Sequence, residues 1–460
     1  MLLRQPCSDP QRDICAGGGT KHDLVSITPF GGVNEIGGNK FLVEEDGVSV
    51  MLDFGLSYKG RGKFFADPYL TPKEVDTLIE LGVIPNIPGA YTEEGDRPFR
   101  AIVLSHAHRD HSGHASLTRE DIDIYAGEAS RRILSAFGET SRETWEFSFG
   151  DRELKQFHTG DVMKFDQIEI EPIHVDHSVP GAYGFIVRTP TGIIGYTGDF
   201  RMHGPLSKMT QDFIDALVTN RPDVLLMEHT NILEGDAFTE AWVQARLSSV
   251  TGASSGLVVG DFTLVDIDRY KSFCAAATEN GRQLVIVPKR AYLIDALMAD
   301  PAISVPNQKD GVRILERPGP RPQAWEEKIC DKWGVVAAAD INEHQEKYMV
   351  IMPQGDVQNL LKISARPGSV FLCSSSEPFN EEMELDYDRL MNWLDAMGMP
   401  AYRIHASGHA MPMDLRRFVE QVRPKRVIPI HGEHPEMVVR YLRDLSLEVQ
   451  PPVLGESIPV

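Results

Sequence analysis

Residues 105–114, SHAHRDHSGH, set four histidines and an aspartate directly after the apolar run AIVL. An apolar run of this kind reads as a buried strand, so the imidazoles are delivered at a strand end. His106 and His108, two apart on an extended segment, point to one side. Asp110 and His111 then turn back over the loop towards a second position. Ring nitrogens and a carboxylate, with no thiolate nearby, suit zinc or another first-row cation. Later segments repeat the device: HVDHS, YTGDF and IPIHGE offer His177, Asp199 and His431, which would complete a set of seven ligands. A carboxylate such as Asp199 can bridge two cations, as two-metal hydrolysis requires. His114 falls outside the spacing and reads as a surface or supporting residue. His174 and His229 flank motif residues and read as hydrogen-bonding supports or exposed side chains.

The rest of the chain is that of a globular protein with room for two or three domains. It has 460 residues, 42% hydrophobic and 25% charged, and no apolar stretch long enough to span a bilayer. Residues 1–21 lack the apolar core of a secretory signal and read as a disordered leader, which points to the cytoplasm and away from membranes. The five cysteines are scattered and contain no CxxC pair, which argues against a disulfide framework and a thiolate zinc site. The formal charge of −21 disfavours long-range attraction of a polyanion, so any nucleic-acid partner requires a local basic groove. Arg403, Arg416, Arg417, Arg423, Lys425 and Arg426 are the candidates for one, and a solvated helix face explains them equally well.

Short apolar runs from residue 24 onward predict a strand-rich start, followed by a helix in TPKEVDTLIELG with Thr71 as N-cap and Pro72 at its first position. A further helix is expected at about 208–218, then a strand in DVLLMEH. Between about 230 and 385 helix and strand alternate, the texture of an inserted α/β domain.

The motifs SHAHRDH, DHSVP, TGDF and IHGE, in this order, resemble the metal-binding motifs of the metallo-β-lactamase fold. LLMEHT, HASGHA and IPIHGE resemble the additional motifs of its nucleic-acid-processing β-CASP branch. Within that branch PFGGVNEIGGNKFLVE, VMLDFGL and VRPKRVIPIHGE are most similar to ribonuclease J, in a short form that ends about 30 residues after His431. The resemblance implies an αββα sandwich over 22–227 and 396–460, interrupted by an α/β β-CASP domain over 228–395. It also implies two zinc ions, with manganese suited to the same donors. One would be held by His106, His108 and His177, the other by Asp110, His111 and His431, with Asp199 between them.

The implied activity is cleavage of single-stranded RNA, 5′-to-3′, internal or both, to 5′-phosphate products. Asp110, Glu228 and His409 are the catalytic candidates, with His409 delivering the leaving-group proton and Glu228 orienting it. His405, Ser407, Gly408 and His409 match a phosphate-cradling loop, and Asp53 a support beneath the ligand loops. The chain departs from ribonuclease J on the substrate side, with Arg201 in TGDFRMHG where a lysine is usual and EHT where Asp-Ser-Thr is usual. A DNA nuclease, a small-nucleotide phosphodiesterase and a non-catalytic nucleic-acid-binding subunit are therefore the rival expectations. A homodimer or higher homo-oligomer is compatible with each.

Overall fold

The computed structural model describes residues 24–67, 69–140, 145–235, 238–316, 322–378 and 381–460, so the leader expected at 1–21 lies outside the described residues. Two seven-stranded sheets pack face to face. The first runs in the order Ile458–Pro459, Ser26–Gly31, Lys40–Glu45, Val48–Leu52, Ala101–Leu104, Asp123–Gly127 and Leu154–Phe157. The second runs Glu448–Val449, Arg426–Ile430, Val224–Glu228, Ile193–Tyr196, Tyr183–Arg188, Ile168–His174 and Met163–Phe165. Ile27, Phe41, Val43 and Val103 from one sheet meet Phe185, Tyr196, Leu226 and Ile428 from the other in a buried apolar layer.

Helix Glu128–Thr140 covers the outer face of the first sheet through Ile133 and Leu134. Ser207–Asn220 and Pro412–Val422 cover the second through Phe213, Leu217, Phe418 and Val419. Because both faces of these strands are covered, they read as continuous apolar runs such as VLLME and AIVL rather than as alternating ones. The result is the metallo-β-lactamase αββα sandwich.

The two sheets are antiparallel at one side and parallel from the centre to the other edge. Val48–Leu52, Ala101–Leu104 and Asp123–Gly127 run in parallel, as do Ile193–Tyr196, Val224–Glu228 and Arg426–Ile430. Parallel strands release their polar residues from carboxyl ends that lie side by side, which is where α/β sheets hold ligands. Asp53, His106, Asp199, Glu228 and His431 all sit at or within three residues of such ends.

A third sheet is entirely parallel: Val335–Val336, Arg313–Leu315, Gln283–Ile286, Tyr348–Ile351, Val258–Asp261, Val370–Cys373 and Ala401–Arg403. Its strands alternate with helices, among them Glu240–Ala253, Ile267–Glu279 and Glu381–Ala396. The last strand returns through the crossover helix Glu381–Ala396, so this sheet reaches Arg403, beyond the boundary expected at 395.

One helix start differs from expectation. The helix is Val75–Glu80, with extended Glu74 rather than Thr71 at its N-cap position. The Trp145 indole donates to the Pro72 carbonyl, and that tie to a distant segment replaces a helical turn there. Among the described residues no helix is long and apolar enough to cross a membrane.

Candidate metal centre

The expected ligands converge at the rim of the sandwich in two groups that share one carboxylate. In the first, His106 Nε2 and His177 Nε2 lie 3.0 and 3.2 Å from His108 Nδ1, and 3.6 and 4.0 Å from Asp199 Oδ2. In the second, His431 Nε2 lies 3.2 Å from Asp110 Oδ2, and His431 Nε2 and His111 Nε2 lie 3.5 and 3.1 Å from Asp199 Oδ2. Bonds of about 2.0 to 2.1 Å to a tetrahedral cation separate its donors by about 3.3 Å, the spacing most of these pairs adopt. The four donor atoms of each group fall within 4.8 Å of one another.

The chemistry of the donors agrees with the spacing. Asp199 is 1% exposed, and its Oδ1 has no hydrogen-bond partner, a buried anion that only neighbouring cations or protonated rings can stabilise. Burial holds His106 and His177 well below their ordinary pKa, and brings His108 down to about 4. Neutral imidazole is the form with a free lone pair. Burial also lowers His111, but the Asp199 and Asp53 carboxylates outweigh it and hold that ring well above its ordinary value. Burial raises Asp110, and His431 and His111 overcome it, leaving the carboxyl below its usual range.

Each of four rings is fixed through its other nitrogen, the arrangement that sets tautomer and orientation in metal-binding histidines. His111 Nδ1 lies 2.7 Å from Asp53 Oδ2, His177 Nδ1 2.6 Å from the Gly408 carbonyl, His106 Nδ1 3.0 Å from Ser105 Oγ, and His431 Nδ1 2.8 Å from Thr230 Oγ1. Asp53 collects further donors, Ser105 N at 2.6 Å, Ser105 Oγ at 2.8 Å and the Tyr196 hydroxyl. Asp53 and His431 both adopt left-handed backbone, at φ of 58° and 54°. Such strain in non-glycine residues persists where surrounding bonds hold it, and it turns both side chains sharply off their strand ends. Gly55 is required for a different reason: a Cβ there would lie 1.6 Å from the Asp110 carbonyl oxygen.

The loop after Arg403 places the remaining candidates. His409 is 21% exposed on its side chain, with Nδ1 3.4 Å from Glu228 Oε1 and 3.8 Å from Asp199 Oδ2. Glu228 is fully buried and accepts from the backbone amides of Ala410 and Thr230 at 3.1 and 3.0 Å, so it fixes the turn that carries His409. Ser407 Oγ accepts from Asn231 Nδ2 at 2.9 Å and from the His409 amide at 3.1 Å. A Cβ on Gly408 would lie 2.9 Å from Ser178 Oγ and 3.0 Å from His177 Cε1, which explains a glycine there. His405 is turned towards the third sheet, with Nδ1 3.0 Å from the Ser374 carbonyl.

The other histidines each take one of the places expected of them. Of the surface and supporting places open to His114 it takes the buried one, with Nε2 3.1 Å from Glu146, which Arg61 also holds. His174 stacks on Tyr183 at 4.1 Å, and His229 lies buried with Nδ1 2.7 Å from the Ile430 carbonyl. The basic residues offered as a groove are mostly neutralised. Arg403 pairs with Glu377, Arg416 with Asp444, Arg417 with Asp414, Lys425 with Asp223 and Arg426 with Glu448. Sequence reasoning passed over Ser105, Asn39, Tyr196, Thr230, Asn231 and His203. Of these, Ser105 and Thr230 lay beside motif residues and could have been found; His203, which meets the Ser407 carbonyl at 3.0 Å, carried no signal of its partner.

Comparison with known proteins agrees with this geometry. Residues 75–241 match the beta-lactamase superfamily domain, and residues 399–444 the Zn-dependent metallo-hydrolase RNA specificity domain. The chain is 25% identical to Ribonuclease J of Thermus thermophilus over 95% of its own length and 74% of that protein's. It is 24% identical to Ribonuclease J of Mycoplasma genitalium over 92% and 70%. A crystal structure of a protein of unknown function from Enterococcus faecalis V583 superposes with a TM-score of 0.76 at 21% identity, covering 95% of this chain and 100% of that one, which shows the shared fold. With the sandwich, the convergent donors and these matches together, the chain is a metal-dependent hydrolase of the metallo-β-lactamase fold that resembles the ribonuclease J proteins of the β-CASP branch.

Proposed function

We propose that this protein is a two-metal ribonuclease that cleaves single-stranded RNA in the cytoplasm, from the 5′ end, internally or both, and leaves 5′-phosphates. The observation that carries the reading is Asp199 Oδ2, which lies 3.1 to 4.0 Å from the nitrogens of His111, His431, His106 and His177 and so stands between both donor groups. His106, His108 and His177 would hold one cation, Asp110, His111 and His431 the other. Zinc fits the nitrogen and oxygen donors best, and manganese suits the same set. Cations held there supply an acidified water at neutral pH and neutralise charge on the phosphoryl oxygens.

The chain's own residues contribute the rest. His409, partly open to solvent beside Asp199, is placed to give a proton to the leaving oxygen, and Glu228 keeps it turned into the cleft. The Ser407 hydroxyl and the backbone of Gly408 border the same space and suit a phosphate oxygen. The insert, from residue 229 to 403, would form the opposite wall. The related proteins named Ribonuclease J and the RNA specificity domain over 399–444 support RNA as the substrate.

The test is cleavage of a 5′-monophosphorylated single-stranded RNA and its DNA counterpart with added zinc or manganese, and Asp110→Ala as control. RNA cut by the wild type alone supports the reading, and the product ladder separates terminal from internal cutting. DNA cut in preference to RNA would replace it with the nuclease alternative. That alternative, and a small-nucleotide phosphodiesterase, gain from the pairing of Arg403, Arg416 and Lys425 with carboxylates, which weakens the one run of basic residues offered for a nucleic-acid groove. A chain that binds RNA, holds no cation and cuts nothing would be the non-catalytic subunit.

A further inference from the structure

Two arginines lie fully buried between the sandwich and the insert, and the chemistry above uses neither. Arg201 follows Asp199 by two residues. Its Nε donates to Asp176 Oδ1 at 3.0 Å and its Nη2 to Asp268 Oδ2 at 2.6 Å, and its backbone amide donates to the Asp176 carbonyl at 2.8 Å. Asp176 immediately precedes His177. This one guanidinium therefore ties together the loops that carry two of the donors, and Gly204 leaves it room, since a Cβ there would lie 2.1 Å from Arg201 Nε.

Arg269 stands on the insert helix Ile267–Glu279 and reaches the other way. Its Nη2 donates to the Ala406 carbonyl at 3.0 Å, and its Nη1 to Ser374 Oγ at 2.8 Å and to the Ser374 carbonyl. Ser374 in turn takes the His405 ring, so Arg269 holds the base of the 405–409 loop on two sides. Glu240 joins the two arginines: its Oε1 is 2.7 Å from Arg269 Nη2 and 3.8 Å from Arg201 Nη1. Buried charges are costly unless paired and hydrogen-bonded, and removing one partner strands the other. The chain of charges runs from the metal-ligand loops through the insert to the loop beside the substrate, and its Arg201–Glu240 link is an ion pair at 3.8 Å without a hydrogen bond.

We propose that Arg201, Glu240 and Arg269 form a positioning relay that sets the 405–409 loop, and with it His409 and Ser407, at the working distance from the metal centre. The relay rests on the reading of that loop as the substrate side. Lysine at 269 keeps the charge but cannot serve Glu240, Ser374 and Ala406 together, because it lacks the planar fork. A loop displaced by a fraction of an ångström keeps its metals and loses rate.

The experiment compares wild type, Arg269→Lys and Glu240→Gln in three readouts. These are kcat and KM on the RNA and on bis(p-nitrophenyl) phosphate, metal content, and amide hydrogen exchange measured on peptides. The relay predicts a fall in kcat of about 10- to 100-fold on both substrates with KM nearly unchanged. It predicts unchanged metal content, and faster exchange confined to 403–411 while peptides over 105–112 stay as in the wild type. A second arm introduces Arg269→Lys into Ser407→Ala: a smaller fold-loss there than in the wild type indicates action through the loop, whereas equal losses indicate independent structural damage and count against the relay. Unchanged kcat, or a loss accompanied by metal release and exchange throughout the chain, overturns the relay. If the wild type leaves RNA uncut, the ribonuclease reading fails alone, because the small diester and the exchange pattern still decide this one.

Discussion

The sandwich rim and the carboxyl edge of the third sheet are built from the same sequence device, an apolar parallel strand that ends in a polar residue, yet they differ in what they assemble. At the rim, strands of two facing sheets end opposite one another, so His106 and Asp110 from one meet Asp199 and His431 from the other, and Asp53 meets Tyr196. At the third sheet, Asp261, Ser374 and Arg403 also follow strand ends, but only one layer supplies them. Asp261 accepts from the Gln354 amide and Arg403 pairs with exposed Glu377, and among the described residues both metal-competent groups lie at the rim. Convergence of two layers, rather than a polar strand end as such, turns buried backbone into a metal centre.

The largest break in that comparison should come from Asp199, the one donor common to both groups. Asp199→Ala should lose both cations and bring cleavage to background, read as metal content and turnover on the same sample; retention of either cation would mean that the groups are independent. His409→Ala should act differently, keeping the metals while kcat falls by about 10²- to 10⁴-fold, the usual worth of a positioned general acid. Equal metal loss in these two variants would merge roles that the geometry separates.

Asp53→Ala addresses the support beneath the rim. It removes the acceptor of the His111 ring and should weaken metal affinity about 10- to 100-fold, measured by competition with a chelating dye. An unchanged affinity would leave Asp53 a purely structural anchor of Ser105.

The smallest effect belongs to the other edge. Burial, with Arg290 opposing, pushes Asp261 up from 3.8 to about 6. A carboxyl raised in the folded state costs stability once ionised above about 6, and costs nothing below about 4. Asp261→Asn should therefore raise the melting temperature by about 2 °C at pH 7.5 and leave it unchanged at pH 4. The same shift at both pH values would show that the carboxylate's charge is not the cause.

Much of the rim was legible because its donors sit in short motifs at strand ends, where local spacing alone orients His106, His108, Asp110 and His111. The supports were harder to read. Thr230 meets His431 across 201 residues and Asn231 meets Ser407 across 176, and no local pattern encodes such pairs. The basic residues of 403–426 looked available in sequence because their partners, Asp444 and Asp223 among them, come from other segments. For His114 a surface and a supporting place stayed open for the same reason, since Glu146, which holds its ring and is itself held by Arg61, comes from another segment. Arg201 looked like a substrate-side variation in sequence, and in the fold it is a buried junction between two layers.

A shared two-cation centre that cuts RNA is tested most directly by metal content per chain, with RNA cleavage scored on the same wild-type, His409→Ala and Asp199→Ala preparations. Two cations are expected in wild type and in His409→Ala, none in Asp199→Ala, and cleavage by the wild type alone. Cleavage that survives complete removal of metal, or Asp199→Ala protein that keeps both cations, would contradict such a centre.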